Sequence, residues 1–289
     1  MIEVDSVGEI YETETAGTVT ALTDVSLTVD DGEIVCLVGP SGCGKSTLLR
    51  ILAGFLAPTS GVARVDGREL TGPGTDRGVV FQQPTLLPWF PVRENIRLAS
   101  RYSGQKVQRE RADALLDLVG LTEAADRLPH ELSGGMQQRA QIARVLAAGP
   151  RHVLMDEPFG ALDPFTREQL QAELLRVWAR DRPAILFVTH SVEEAILLGD
   201  RVVVMASRPG RTLEEVVVPP ELGPGTRRDR TLLSPDVPRE TLQSRLRDLT
   251  ADPGFVALRH EVSEAISAAH AVGSRVRNVV SARGTDRSV

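Results

Sequence analysis

The chain has 289 residues and a mass of 31.3 kDa, with 42% hydrophobic, 25% charged and 4% aromatic residues, so it can bury a full core and is not a disordered tail. With 33 basic against 39 acidic residues the net charge is −6, and no Lys/Arg block is long enough to track a phosphate backbone, which disfavours a dedicated nucleic-acid reader. The start Met1-Ile2-Glu3-Val4-Asp5 is acidic and lacks the basic and apolar regions of a secretory signal, and the longest apolar runs fall far short of the roughly 18 residues a spanning helix needs. Cys36 and Cys43 can form neither a disulfide framework nor a four-ligand metal site, so a reduced, cytoplasmic setting without a membrane span is expected.

Val25 to Val29 alternates apolar and polar residues, and Val62 to Val65 runs into the turn signal Asp66-Gly67, which predicts a small antiparallel β portion. Short apolar runs at Ile34 to Val38, Val79 to Phe81, Val153 to Met155, Ile185 to Val188 and Val202 to Met205 alternate with helical patterns, as in a buried, mostly parallel sheet. Between Pro84 and Leu132 the period turns helical, with Ala114, Leu115, Leu118 and Leu121 on one face, predicting an all-helical insertion. Asp163-Pro164 reads as an N-cap followed by proline at the first helical position, and Ser191 with Glu194 as a capping box that starts a helix just after His190.

From Pro219 the chain is Pro- and Gly-rich with a basic cluster at Arg227, Arg228 and Arg230, a linker by composition. Leu242, Leu246 and Leu249 then mark one amphipathic helix, and a second starts at Asp252-Pro253 with Phe255, Val262, Ile266 and Ala269 on its apolar face. From Gly273 periodicity ends and fraying is expected. The predicted organisation is an α/β domain over residues 1–218 with a helical insertion at about 84–135, a linker over 219–235 and a helical extension over 236–289.

The strand Ile34 to Val38 runs into Gly39-Pro40-Ser41-Gly42-Cys43-Gly44-Lys45-Ser46-Thr47 and then a helix from Leu48, the context of a phosphate-binding loop. Its glycines let backbone N–H groups curl around phosphate oxygens, Lys45 supplies a point charge and Ser46 a hydroxyl for Mg²⁺. Val153 to Glu157 is an apolar strand ending in two carboxylates, which a buried strand tip does not tolerate without a cation or partner. Asp156 suits Mg²⁺, directly or through water, and Glu157, facing the other side by strand alternation, can accept a proton from water attacking a γ-phosphate. Leu132-Ser133-Gly134-Gly135-Met136 opens another helix and forms a second anion site. Either the insertion folds back over the first loop, or each site completes the other in a two-fold dimer.

In this order the motifs from Gly39 to Thr47, Gln82, Leu132 to Gln138, Val153 to Glu157, Ala161-Leu162-Asp163 and His190 resemble the ATP-binding-cassette ATPases over about residues 1 to 218. The resemblance implies an α/β P-loop NTPase core with a mostly parallel sheet and an inserted helical subdomain, to which the residue patterns above add an N-terminal antiparallel β portion and a helical C-terminal extension. It further implies ATP with Mg²⁺ held between two such subunits, and hydrolysis coupled to motion of a partner. Carried over, Lys45, Glu157, Gln82 and His190 serve catalysis, Gln82 reaching Mg²⁺ or the attacking water and His190 holding the γ-phosphate. Asp163 contacts the opposite subunit, and Tyr11 resembles the aromatic that stacks on adenine. Met136 stands where the family usually has Gln, a departure common in the importer branch.

Gln82-Gln83-Pro84, Leu86-Leu87-Pro88-Trp89, Val92 to Ile96, Glu157 to Asp163 and Ser207 to Arg211 look like the nitrate, sulfonate and taurine importers. That branch implies a second ATPase subunit, membrane-spanning permease subunits whose helix is received by Leu86 to Phe90, and indirectly an extracytoplasmic solute-binding protein. It places the chain peripherally on the cytoplasmic face of the cell membrane, without nucleic acid. A soluble cassette acting on DNA or ribosomes would carry a long coiled-coil insertion or tandem cassettes, and a degenerate regulatory module would lack the intact Lys45, Asp156, Glu157 and His190. An exporter ATPase is the remaining alternative.

Overall fold

The structure is a computed structural model and describes residues 1–13, 17–102, 109–222, 233–234 and 237–284; Arg227, Arg228 and Arg230 of the expected linker lie outside the described residues. Strands β1 (Ile2–Thr13) and β2 (Gly17–Val29) pair antiparallel from Ile2↔Val29 to Thr13↔Gly17. β3 (Ile34–Val38) is buried at every residue and leads through the Gly39 to Gly44 loop into α1 (Lys45–Leu52), which starts at Lys45 rather than Leu48 because Gly44, at φ 92°, turns the chain into the helix. β4 (Ser60–Val65) and β5 (Arg68–Glu69) form the expected hairpin, whose two turn residues Asp66 and Gly67 both have positive φ, as the tight hairpin twist requires. These strands make an antiparallel sheet of order β2-β1-β4-β5.

β6 (Arg77–Val80) ends one residue before the predicted Phe81 and precedes the insertion, made of α2 (Val92–Tyr102), α3 (Arg109–Leu118) and α4 (Gly134–Ala147). Then follow β7 (His152–Asp156), α5 (Pro164–Asp181), β8 (Ala184–Val188), α6 (Val192–Leu198), β9 (Arg201–Ala206) and β10 (Arg211–Val217). The second sheet has the order β10-β9-β3-β8-β7-β6, parallel at every neighbouring pair except β10 with β9. Because side chains alternate along a strand, β3 feeds two cores. Val35 and Leu37 face α1 and the antiparallel sheet, while Ile34, Cys36 and Val38 face the helices on the other side.

α7 (Arg239–Thr250) and α8 (Pro253–Gly284) are the last described elements, and α8 runs on through Gly273, where fraying was expected. Val272, Val276, Val279 and Val280 recur at i, i+4, i+7 and i+8, a helical period that continues the pattern past Gly273. Leu242, Leu246, Leu249, Phe255, Leu258 and Val262 are buried in the same core as β9 and the insertion, so the extension packs as part of one interior. Among the described residues no helix is long and apolar enough to cross a membrane.

This shared core makes the extension a determinant of global stability. Phe255 is fully buried, and Phe255→Ala is expected to cost about 3–5 kcal/mol. Denaturant unfolding followed by intrinsic fluorescence and circular dichroism should give one coincident transition at lower denaturant. An early, separate transition that leaves the rest of the chain at its original midpoint would contradict a common core.

Candidate active site

The phosphate loop is shaped by close approaches that only glycine permits. At Gly39 (φ 151°) a Cβ would lie 2.5 Å from the Met205 carbonyl oxygen, and at Gly44 (φ 92°) one would lie 2.3 Å from Leu22 Cδ2. Lys45, at the first position of α1, is buried, and its Nζ donates to the carbonyls of Gly39 at 2.8 Å and Pro40 at 3.2 Å. The first helical N–H groups have no partner within α1, so loop and helix together present donors for an anion. A cavity of ≈ 340 Å³ opens over this loop, bounded by Ser41, Gly42, Gly44 and the Lys45 to Thr47 turn on one side and by Glu157 and His190 on the other.

β7 delivers Asp156 to the inner edge of the site. Its carboxyl is 8% exposed; burial pushes it above the usual carboxylate range, partly offset by the Ser46 hydroxyl and the Lys45 ammonium. Asp156 Oδ1 has no hydrogen-bond partner among the described residues. An unpartnered buried carboxylate oxygen beside a hydroxyl is a donor set that fits a hard divalent cation.

Glu157 does not point away by strand alternation, as expected from the sequence. β7 ends at Asp156, and Glu157 takes φ 46°, a left-handed conformation that a non-glycine residue adopts at a cost of order 1–3 kcal/mol. Its N–H donates to the Val188 carbonyl at 2.9 Å, which turns the carboxylate over the loop. There Gln82 Nε2 donates to Glu157 Oε2 at 3.0 Å, and His190 Nε2 lies 2.5 Å from Glu157 Oε1. Residues from β6, β7 and β8 thus converge on one carboxylate.

Gln82 owes its position to a cluster that the sequence reading missed. Gln138 and Gln141, both fully buried on α4, donate to the Phe81 carbonyl at 3.2 and 2.7 Å, and Gln141 Oε1 accepts from Thr85 N at 2.7 Å and Thr85 Oγ1 at 2.9 Å. Arg144 closes the set through the Thr85 carbonyl at 2.8 Å. The signal available was two amides and a guanidinium at i, i+3 and i+6 on a helix face that otherwise reads as core.

Ser133 caps α4 by accepting from Met136 N at 3.3 Å. Gly135 packs so closely on Leu162 that a Cβ there would lie 3.3 Å from Leu162 Cδ2, which sets the Ser133 to Gly135 turn beside the Ala161 to Asp163 segment. Asp163 caps α5 through Thr166 N at 3.0 Å, and that hydrogen bond holds its carboxyl below the usual range. Ser133, Gly134, Gly135 and Asp163 are not among the residues that line the cavity over the phosphate loop. Tyr11 stands on β1 opposite Val19 and is likewise outside the cavity lining.

The capping box at Ser191 is half-formed. Ser191 accepts from Glu194 N at 3.2 Å, but the buried Glu194 carboxylate turns inward, accepting from Thr189 Oγ1 at 2.6 Å and Gln171 Nε2 at 3.2 Å. Arg167, 3.6 Å from the same carboxylate, donates to the Leu162 carbonyl at 3.1 Å, linking the strand end that carries His190 to the segment that carries Asp163.

Residues 22–160 match the ABC transporter family. The chain is 44% identical over 254 residues to the taurine import ATP-binding protein TauB of Jannaschia sp. (strain CCS1), covering 87% of this chain and 88% of that one. It is 48% identical over 220 residues to the nitrate import ATP-binding protein NrtD of Synechococcus elongatus, covering 75% of this chain and 80% of that one. Among solved structures, the dimeric post-hydrolysis state of an ATP-binding cassette bound to ADP and Pi superposes with a TM-score of 0.69 at 31% identity, covering 76% of this chain and 99% of that one.

The raised Asp156 carboxyl has a definite consequence for stability. The folded state holds this proton more tightly than the unfolded chain, so the group's contribution is most favourable below the ordinary value near 3.8 and is lost as pH rises through the raised one. At neutral pH the charged group is therefore a cost. Asp156→Asn should raise the thermal midpoint of the nucleotide-free chain in chelator at pH 7 while removing ATP turnover. A lowered midpoint would overturn the assignment of this carboxylate as a strained functional group.

Proposed function

The chain belongs to the ATP-binding-cassette transporter family and is an ATPase, and on that premise we propose that it energises uptake of a small anion such as a sulfonate, taurine or nitrate. The observation that carries the chemistry is the convergence of Gln82 and His190 on Glu157 over the phosphate loop. The similarity to taurine and nitrate import ATP-binding proteins supports the importer reading.

In this reading the loop of Gly39, Pro40, Ser41, Gly42, Cys43 and Gly44, through the backbone N–H groups of every residue but the proline, cradles the ATP phosphates together with Lys45, Ser46 and Thr47, and Tyr11 stacks on the adenine. Ser46, Asp156 and Gln82 hold Mg²⁺, which when bound neutralises charge on the phosphate oxygens. Glu157 accepts a proton from the attacking water as its oxygen bonds to the γ-phosphorus and the bond to the ADP oxygen breaks; His190 orients both carboxylate and γ-phosphate. Ser133, Gly134 and Gly135 serve the nucleotide of a second, identical subunit, and Asp163 contacts that subunit. Support comes from the absence of Ser133, Gly134 and Gly135 from the lining of the phosphate-loop cavity and from the likeness to a dimeric cassette.

The membrane partner is a permease docking at the segment after Gln82. Phe55 is 54% and Trp89 66% exposed, Phe55 stacks on Phe81 at 5.9 Å, and Asn95, fully buried, fixes the loop by donating to the Leu87 and Phe90 carbonyls. An apolar helix end from a membrane subunit fits exposed aromatic side chains such as Trp89. The chain then sits peripherally on the cytoplasmic membrane face, linked through the permease to an extracytoplasmic solute-binding protein.

Two variants test the chemistry. Glu157→Gln should lower turnover by about 10²–10⁴-fold while ATP binding persists, and light scattering at saturating Mg-ATP should show a dimer. A variant that hydrolyses normally, or stays monomeric, refutes the sandwich. Ser133→Arg should leave ATP binding to the single chain near normal yet abolish hydrolysis, and full activity there would make the second anion device irrelevant. For the transport role, isolation from native membranes in mild detergent should recover a multi-spanning protein; ribosomal or DNA-associated partners from the soluble fraction alone would overturn it.

A further inference from the structure

We propose that Gln141 is the positioning residue through which the Ser133 to Gly135 end of α4 controls the Gln82–Glu157 pair, so that occupancy of one site sets turnover at the other. The inference rests on the function proposed above and assigns its coupling to one side chain.

Gln141 is fully buried and uses both ends of its amide on one short segment. Its Nε2 donates to the carbonyl of Phe81, the residue before Gln82, at 2.7 Å. Its Oε1 accepts from both Thr85 N at 2.7 Å and Thr85 Oγ1 at 2.9 Å, three residues after Gln82. The segment that presents Gln82 is therefore clamped on both sides by a single helical side chain. Gln138 reaches only the Phe81 carbonyl, at 3.2 Å, and its Oε1 has no partner among the described residues, while Arg144 reaches only Thr85. Gln141 alone spans the segment.

The same helix starts at the second anion device. Ser133 is the cap of α4, and Gln141 lies eight residues on, roughly 12 Å along a rigid rod. A shift of the helix when an anion binds its N-terminus is carried undiminished to Phe81 and Thr85, and so to the 3.0 Å contact of Gln82 with Glu157. A buried amide with all these bonds made transmits a displacement in a way that an apolar residue in loose contact does not. Packing alone would be served by leucine, which has a similar volume and makes none of them.

The experiment compares the full-length wild-type chain with Gln141→Leu and Thr85→Val, measuring ATP turnover against ATP concentration and, separately, ATP affinity of the single chain. Thr85 is exposed, so its variant keeps the fold and removes one of the clamp's bonds. Wild type should show turnover cooperative in ATP. Gln141→Leu should keep single-chain ATP affinity within about twofold, lose about ten- to a hundredfold in kcat and show a Hill coefficient near one. Thr85→Val should move both quantities in the same direction by less, and decides the matter should Gln141→Leu not fold. Wild-type kcat and cooperativity in a folded variant overturn the inference, and so does a fall in kcat with cooperativity intact, which is the mark of local support only. Hydrolysis without cooperativity in wild type overturns it too but leaves the proposed function standing; absence of hydrolysis in wild type overturns both.

Discussion

Two opposite charges, Lys45 and Asp156, are held at the carboxyl edge of a sheet whose β3, β7 and β8 strands are buried at every residue, and the rest of the structure is organised around making that tolerable. Each charge would cost several kcal/mol if left without compensation in such surroundings. Lys45 is compensated by two loop carbonyls, which demands a loop curled tightly enough to aim them inward and hence glycine where Met205 and Leu22 press against the backbone. Asp156 is compensated only in part, by the Ser46 hydroxyl and the Lys45 ammonium, and its Oδ1 has no hydrogen-bond partner among the described residues. The parallel order brings β3, β8 and β7 side by side with their carboxyl ends level, so the loop, the carboxylates and His190 emerge on one edge.

Around that edge, buried polar side chains do the positioning. Gln141 and its neighbours fasten the Gln82 segment to the insertion, while Glu194 fastens the His190 strand end to α5 and, through Arg167, to Leu162. Both sets are internally hydrogen-bonded, which is what allows them to be buried and what makes them stiff. The site is thus held from two directions by elements that also carry the Ser133 turn and Asp163. Movements of those two surfaces are mechanically tied to the geometry at Glu157.

Much of this was legible in the sequence wherever a local rule and the fold agree. The loop from Gly39 to Thr47, the start of α5 at Pro164 and the hairpin at Asp66-Gly67 are written in residues whose backbone preferences admit few alternatives. β1 was not legible, because register shifts between Val4 and Val7 and again before Glu9 break the two-residue alternation that marks a strand. Glu157 was assigned the right neighbourhood for the wrong reason: its direction comes from a left-handed backbone, which sequence pattern does not reveal for a glutamate. Gln141 was hidden for a related reason, since a polar residue inside a helical period looks like a break in the apolar face until its partners in another segment are known. Glu194 satisfied the letter of a capping motif, yet its carboxylate went to tertiary partners because burial rewards the stronger network.

These departures share a location and a sense. Glu157 in a left-handed conformation and Asp156 with a raised carboxyl lie together at the end of β7, and Gln138, whose Oε1 like Asp156 Oδ1 has no partner among the described residues, donates to Phe81 beside Gln82. The two cores, one filled by residues such as Phe159, Phe187 and Trp178 and the other by residues such as Leu48, Leu154 and Leu186, supply the stability that such features draw down. A sequence optimised only for folding would replace Asp156 with a neutral residue and relax Glu157. That it does neither is what a site kept for binding and chemistry, and not for folding alone, requires.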